Sequence, residues 1–547
     1  LTTTAEQYNQ AFRAFLDTLN PEQRQAVDQT EGPVLVLAGP GTGKTQVLAA
    51  RIGNILLQPD TRPQNILCLT FTDAGVQAMR QRLVSLIGPT AHRIPIMTYH
   101  TFCNRVIQEN ITYFGQSNLE TLSDVERIEV IRGMLDKLPV AHPLREGYKT
   151  PYANEQSLRN LFAVMKSERW KPGEIQRAAR QWLNNLAQYE EFVYKVNSKH
   201  GKKGDLKQNK VAEATKKMTL LHAAADLYPE YLRLLEKAGR YEYEDMILWT
   251  LAAFEKHAEL LRNYQERYQY ILVDEFQDTN GAQHALLQQL MNYWDTPNIF
   301  IVGDDDQSIY EFQGARLQNL LDFYEQYKKD LLTVVLTRNY RSLQPILDAA
   351  HRVIEQNTIR AAAQFEVPVS KILTAYRQDN ERLSVQTQGT TPVQILAYSN
   401  PLAEDSDIIR QIETLLQAGA EPDSIAVICA MHAQYKRLIG LLDRRGIPYQ
   451  TKRPVNILSV PLIAHIRGIL EYISDELREP FSGEHRLFAL LHAPFFEIPA
   501  IELAQFALHL HKNEGTTWRE ALHHAPWPAA RALVELVGTA ADGTPLP

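Results

Sequence analysis

Short apolar runs occur at residues 33–37 (P-V-L-V-L), 66–71, 270–273, 299–302 and 334–336, each closed off by polar or turn-forming residues. A strand inside a parallel sheet is covered by helices on both faces, so it reads as an unbroken apolar run rather than an alternating one. These five runs predict a buried parallel sheet and an α/β fold. Between the second and third, over roughly 105–240, the pattern turns helical, with amphipathic stretches at 125–138 and 223–237. That long excursion reads as a helical domain inserted into the α/β domain. Past about residue 330 a second α/β pattern begins, with strands expected at 393–397 and 425–429 and helices at 405–418 and 433–446. From about Pro480 onward the pattern is helical, and no internal repeat or long low-complexity tract interrupts it. A length of 547 residues suits about three or four domains.

The first apolar run leads directly into A-G-P-G-T-G-K-T at 38–45. A strand, a glycine-rich loop and a Lys-Thr ending form a phosphate cradle. Gly39, Gly41 and Gly43 allow the tight bend that aims backbone N–H groups at phosphate oxygens, and Thr42 completes the loop. Lys44 reaches the β- and γ-phosphates, and the Thr45 hydroxyl holds Mg²⁺. A helix expected over 45–57 turns its positive dipole end toward the same anions. Ala38 stands where the strict pattern has glycine. The chain therefore reads as a binder of a nucleoside triphosphate.

The run at 270–273 ends in Asp274-Glu275. An Asp at the carboxyl end of a buried strand beside a phosphate loop can hold the Mg²⁺ shell, and the adjacent Glu275 can accept a proton from the attacking water. The run at 299–302 leads into G-D-D-D-Q-S-I-Y-E-F-Q-G-A, residues 303–315. There Gln307 is placed to contact both a γ-phosphate and the attacking water. Tyr310 and Phe312 share the loop. Aromatic faces in a groove stack bases of single strands, at about 1–3 kcal/mol per base, but spacing alone leaves a core role for both rings equally open.

Composition changes this picture little. The apolar fraction of 44% and charged fraction of 22% are ordinary for a globular protein. The net charge of −7 gives no overall sign of nucleic-acid binding, so any such surface is local. Lys195, Lys199, Lys202, Lys203, Lys207, Lys210, Lys216 and Lys217 crowd one segment opposed only by Asp205 and Glu213. This island is either a DNA-phosphate contact or a solvated loop. Cys68, Cys103 and Cys429 lie far apart without metal-ligand spacing, which argues against a disulfide framework or a zinc site. No apolar stretch reaches the length of a membrane span and no signal peptide is evident, so a cytoplasmic, nucleoid-associated location is expected. The chain begins at Leu1 and stops at T-P-L-P, and is expected to be part of a longer protein.

In their order along the chain, these motifs resemble those of superfamily 1A DNA helicases of the UvrD/Rep/PcrA type. L-N-P-E-Q (19–23) resembles the adenine-reading Q motif, which implies that Gln23 is the reader. T-F-T (70–72) resembles motif Ia and T-Y-H-T-F (98–102) motif Ib, implying DNA contacts at Phe71, Thr72 and His100. Y-E-D-M (243–246) is similar to the family's D-F-D-D segment. V-D-E-F-Q-D-T-N (273–280) resembles motif II, G-D-D-D-Q-S-I-Y (303–310) motif III, and R-N-Y-R-S (338–342) motif IV. The last implies that Tyr340 stacks on adenine and that Arg341 contacts the γ-phosphate.

The resemblance implies RecA-like P-loop NTPase domains, parallel sheets flanked by helices, with helical insertions. Subdomain 1A would span 1–104 and 238–330, 1B 105–237, 2A 331–479, and 2B would start at 480–547. ATP and Mg²⁺ would sit between 1A and 2A, with single-stranded DNA crossing both and duplex DNA ahead. The implied activity is an ATP-driven 3′-to-5′ helicase or translocase.

The chain departs from the family at several positions. Asp73-Ala74-Gly75 replaces Asn-Lys-Ala, Phe312-Gln313-Gly314-Ala315 replaces aromatic-Arg-Gly-Ala, and Gln46 replaces Arg. Motifs V and VI are not found, so the family's second γ-phosphate arginine is missing and this chain alone is expected to hydrolyse ATP poorly. One alternative is the motor half of a helicase–nuclease of the AddA/RecB group. Intact Lys44, Asp274, Glu275 and Gln307 argue against a scaffold that only binds ATP. D-E-F-Q and the Gln23 motif argue against a GTPase or a kinase.

Overall fold

The computed structural model describes residues 2–115, 120–145, 151–197, 201–309, 316–357, 365, 370–376, 393–451, 457–512 and 516–541. The chain divides into two compact units, 1–394 and 395–547.

The first unit is built on strands β1 (Val34–Ala38), β2 (Ile66–Thr70) and β3 (Ile96–Thr98), then β4 (Glu120–Thr121) and β5 (Arg240–Tyr241), then β6 (Tyr270–Val273), β7 (Asn298–Gly303) and β8 (Leu332–Leu336), and finally β9 (Arg338–Asn339) and β10 (Thr374–Ala375). Six of them form one sheet in the order β3-β2-β6-β7-β1-β8, and the pairings are parallel. Leu35 pairs with Ile301 on one side and with Thr333 on the other. Alternate residues face opposite sides of the sheet. Leu35, Leu37, Ile271, Val273, Ile299 and Ile301 enter one core. Val34, Val36, Leu272, Phe300 and Val302 enter the other. With both faces covered, the strands read as solid apolar runs. In a parallel sheet all the carboxyl ends lie along one edge, so the loops after β1, β6 and β7 meet there.

The first unit differs from the sequence reading at four places, all local. β3 was not among the expected strands, because three residues after Pro95 are too short a run to stand out. Phe71 leaves the sheet after Thr70, and β8 begins earlier, at Leu332. The helix expected over 223–237 is two helices, Gln208–Asp226 and Tyr228–Ala238. Pro229 has no N–H to continue the first helix and opens the second.

The helical insertion has its own core, including Ile131, Leu135, Leu158, Phe162, Tyr231 and Leu235. β4 and β5 pair in parallel at its two ends, Glu120 beside Arg240. Lys166, fully buried, forms ion pairs with Glu242 (2.6 Å) and Asp245 (2.7 Å) at the start of helix Tyr243–Lys256.

In the second unit, helices Pro401–Gln417 and His432–Arg445 pack through Ile409, Ile412, Leu438 and Leu442. A separate core gathers Tyr472, Leu487, Leu503, Leu522 and Val534 from the helices after residue 460. The strands expected at 393–397 and 425–429 are not formed. A strand needs a neighbour to take up its main-chain N–H and C=O groups, and among the described residues neither segment has one. Ile395 and Ile428 are both 95% exposed. No helix among the described residues is long and apolar enough to cross a membrane.

Candidate functional site

β1 is buried along its whole length and delivers the loop 39–43 to helix Lys44–Leu56. Gly41 and Gly43 have φ of 73° and 92°, the left-handed region that glycine adopts without strain. Gly41 also has no room for a side chain: a Cβ there would lie 2.8 Å from both Arg341 Cβ and Asn339 Nδ2. Buried Thr42 braces the bend, its hydroxyl donating to the Gly39 carbonyl (2.8 Å). Lys44 and Thr45 open the helix, at its positive dipole end.

Lys44 Nζ donates to Glu275 Oε2 at 2.6 Å. Glu275 has a φ of 48°, a left-handed conformation that is costly for a residue with a side chain. Neighbouring Asp274 is buried at the end of β6. Burial, reinforced by the charge of Glu275 and opposed by Lys44, raises its carboxyl to about 6. Burial and Glu275 raise Asp278 to about 6 as well. The Thr45 hydroxyl and a buried Asp274 carboxylate, the latter short of positive charge, are hard oxygen donors of the kind Mg²⁺ takes.

Gln277, which the sequence reading did not single out, ties the β6 loop to the β7 loop. Its Nε2 donates to Glu275 Oε2 (2.9 Å), and its Oε1 accepts from the Asp304 N–H (2.9 Å). Gln307 Nε2 in turn donates to Asp304 Oδ2 (2.6 Å). Lys44, Glu275, Gln277, Asp304 and Gln307 thus form one continuous polar chain across three strand ends. The sequence signal for Gln277 was its place inside the V-D-E-F-Q-D-T-N motif, which gave it no role of its own.

On the other flank, Asn20 caps helix Pro21–Asp28 and donates through Nδ2 to the Tyr340 hydroxyl (2.9 Å). Gln23 is buried, its Nε2 donating to the Thr42 carbonyl (3.0 Å). The Tyr340 N–H donates to the Gly41 carbonyl (2.9 Å), and the Tyr340 ring lies 5.1 Å from that of Tyr376. Asn339, which lies in the R-N-Y-R-S motif but was given no role there, donates to the Pro40 carbonyl and accepts from the Arg341 and Ser342 N–H groups (2.8 and 2.7 Å). It fixes the turn bearing Tyr340 and Arg341 onto the phosphate loop.

Phe71, Thr72, Asn104, His100, Tyr241 and Tyr243 line a separate hollow of about 730 Å³. Thr72 caps helix Asp73–Ile87, accepting from the Gly75 N–H. The His100 and Tyr243 rings meet edge to face at 6.4 Å, and Tyr243 is 61% exposed. Burial lowers the imidazole pKa of His100, partly offset by Glu244. Tyr310 and Phe312 lie outside the described residues. Arg316, just after them, pairs with Glu168 of the insertion (2.6 Å) and lies over the Trp170 ring.

Lys199 also lies outside the described residues. Around it the basic island is a folded excursion in which Val193 bridges Leu206 and the Lys207 N–H donates to the Phe192 carbonyl (2.8 Å). Lys202 and Lys203 are exposed. Lys207 Nζ reaches the Glu191 carbonyl (3.0 Å). Lys195 and Lys217 form ion pairs with Glu190 and Glu213.

Two family descriptions match the chain: UvrD/REP helicase N-terminal domain over residues 19–328, and UvrD-like helicase C-terminal domain over 334–478. The ATP-dependent DNA helicase PcrA of Bacillus subtilis is 33% identical over 376 residues, which is 68% of this chain and 44% of that protein. The PcrA of Staphylococcus epidermidis is 29% identical over 439 residues, 80% of this chain and 51% of that protein. The PcrA of Staphylococcus aureus is 33% identical over 350 residues, 64% of this chain and 41% of that protein. The chain spans about half the length of these curated relatives.

Proposed function

Since this chain belongs to the UvrD/Rep helicase family, we propose that it is the ATP-hydrolysing part of a DNA helicase or translocase that moves 3′ to 5′ along single-stranded DNA and unwinds duplex ahead. The observation that carries this reading is the polar chain from Lys44 through Glu275, Gln277 and Asp304 to Gln307.

Lys44 binds the β- and γ-phosphates and in doing so gives up Glu275. Glu275 then accepts the proton of the attacking water, whose oxygen bonds to the γ-phosphorus as the bond to the β–γ bridging oxygen breaks. Gln277 holds the Glu275 carboxylate in place, Gln307 senses the γ-phosphate, and Arg341 supplies positive charge to it from beside Gly41. Thr45 and Asp274 would hold Mg²⁺, which when bound neutralises phosphate charge. Tyr340 offers its ring to adenine, with Gln23 beside the loop. DNA bases pass the Phe71–His100–Tyr243 hollow, Tyr310 and Phe312 stack on them, and Lys199, Lys202, Lys203 and Lys207 meet DNA phosphates. The subdomain bounds proposed are 1–104 with 238–330, 105–237, 331–479 and 480–547. The site of action is DNA in the cytoplasm.

Unwinding of duplexes with either a 3′ or a 5′ single-stranded tail tests this directly. ATP-dependent separation of the 3′-tailed duplex is expected. Separation of the 5′-tailed duplex alone would overturn the polarity, and ATP-dependent degradation of the strands would favour the AddA/RecB-like helicase–nuclease.

A further inference from the structure

Asp304, Asp305 and Asp306 follow β7 in direct succession, with carboxylate oxygens within 4.8 Å of one another. Asp304 and Asp305 are buried. Left to themselves, three such charges would repel and turn apart. Among the described residues a cation sits between all three: Lys371 Nζ lies 2.6 Å from Asp304 Oδ1 and 2.8 Å from Asp306 Oδ2, and also contacts Asp305 Oδ1. The Lys371 side chain is only 6% exposed. Burial disfavours its charge, but Asp304 and Asp305 outweigh burial and raise its pKa above the ordinary lysine value.

The placement of Lys371 joins two parts of the site. It precedes β10, which pairs with β9 in parallel, Thr374 beside Arg338 and Ala375 beside Asn339. The Thr374 and Tyr376 N–H groups donate to the Thr337 and Asn339 carbonyls (2.9 and 2.8 Å). Lys371 therefore rides on the strand pair that carries Tyr340 and Arg341. At its other end it meets Asp304, whose second carboxylate oxygen accepts from Gln307 Nε2.

We propose that Lys371 is a positioning residue for ATP hydrolysis. Its ammonium group fixes the Asp304 carboxylate, and Asp304 in turn fixes the Gln307 amide toward the γ-phosphate end of the site. The inference rests on the ATPase reading above. Lys371 is assigned no contact with nucleotide, so its effect passes through Gln307 and falls on turnover rather than on ATP affinity.

The test is a double-mutant cycle on steady-state, DNA-stimulated ATP hydrolysis by the natural full-length protein. Binding of a fluorescent ATP analogue reports the fold. Lys371→Met should lower kcat about tenfold or more, with KM for ATP changed less than about twofold. Lys371→Arg, which keeps the charge, should stay within about threefold of wild type. In a Gln307→Ala background, Lys371→Met should cost less than about a further twofold, because the group it positions is gone. Equal losses in both backgrounds, or a raised KM with unchanged kcat, overturn the proposal.

If Lys371→Met loses analogue binding, Asp306→Asn takes its place in the cycle, since it loosens the ammonium without leaving a buried cation unpaired. It should lower kcat about threefold alone and have no measurable effect beside Gln307→Ala, and equal losses overturn the proposal. Lys44→Ala is the control. Full turnover by that variant means the ATPase reading itself fails. An inactive Lys44→Ala beside a wild-type-like Lys371→Met removes only the positioning role.

Discussion

Lys44 Nζ and Glu275 Oε2 lie 2.6 Å apart, so the cation proposed to bind phosphate and the carboxylate next to the strand-end Asp274 neutralise each other across the mouth of the site. A γ-phosphate bound as proposed would compete with Glu275 for Lys44. On the proposed mechanism, winning that competition frees the carboxylate assigned to accept the water proton.

The pair makes Lys44→Ala a sharp test. The lysine is partly exposed and sits at a loop–helix junction rather than in a core, so the fold should survive. Loss of an electrostatic clamp on phosphate costs about 3–4 kcal/mol of transition-state stabilisation, so turnover should fall by about 10²–10³. Circular dichroism and DNA-stimulated ATPase check the two halves. A folded variant with near-normal hydrolysis would refute the assigned cradle.

Lys166 should matter for stability instead. It is fully buried between Glu242 and Asp245, and truncating one partner of a buried pair strands the others, at about 3–5 kcal/mol. Lys166→Met should lower the unfolding free energy by that amount, read as a lower urea midpoint at unchanged slope, and loosen the helical insertion first, as read by hydrogen exchange over residues 155–167. An unchanged midpoint would mean that the pairing offsets only its own desolvation.

Tyr243→Ala should weaken binding of single-stranded oligonucleotides by about 1–3 kcal/mol if the ring stacks on a base. The ring is well exposed and braced edge-on by His100, so its loss should leave the melting temperature nearly unchanged. Fluorescence anisotropy measures the affinity, and wild-type binding by the variant would move the DNA path away from this hollow.

Neutralising Lys202, Lys203, Lys207 and Lys210 together should lower DNA affinity and flatten its salt dependence. Each lost phosphate contact should take about 0.7–0.9 from the log–log slope, with DNA-free ATPase unchanged. A slope equal to wild type would identify the island as a solvated excursion.

The sequence was most informative where one stretch of chain carries the whole signal. β1, β6 and β7 are apolar because both sheet faces are covered, and the loops after them carry their chemistry in consecutive letters. Residues whose meaning depends on a distant partner were not legible. Gln277 and Asn339 stand inside quoted motifs, but neither they nor Lys371 show what they do until folding sets them against Asp304, the phosphate loop and the acidic triplet. The runs at 393–397 and 425–429 show the converse. Their apolar pattern is strand-like, but a strand is a property of a pair, and no ladder partner stands beside them among the described residues.

The most direct test of the account is ATP turnover with and without single-stranded DNA, comparing the natural full-length protein with its Glu275→Gln variant. The account predicts DNA-stimulated turnover by wild type. The variant should still bind ATP, but its turnover should be about 10²–10⁴ lower, because the group that accepts the water proton is gone. Equal turnover by both proteins, or no response to DNA, would contradict the assignment of Glu275 and with it the reading of this site as the motor of a DNA helicase.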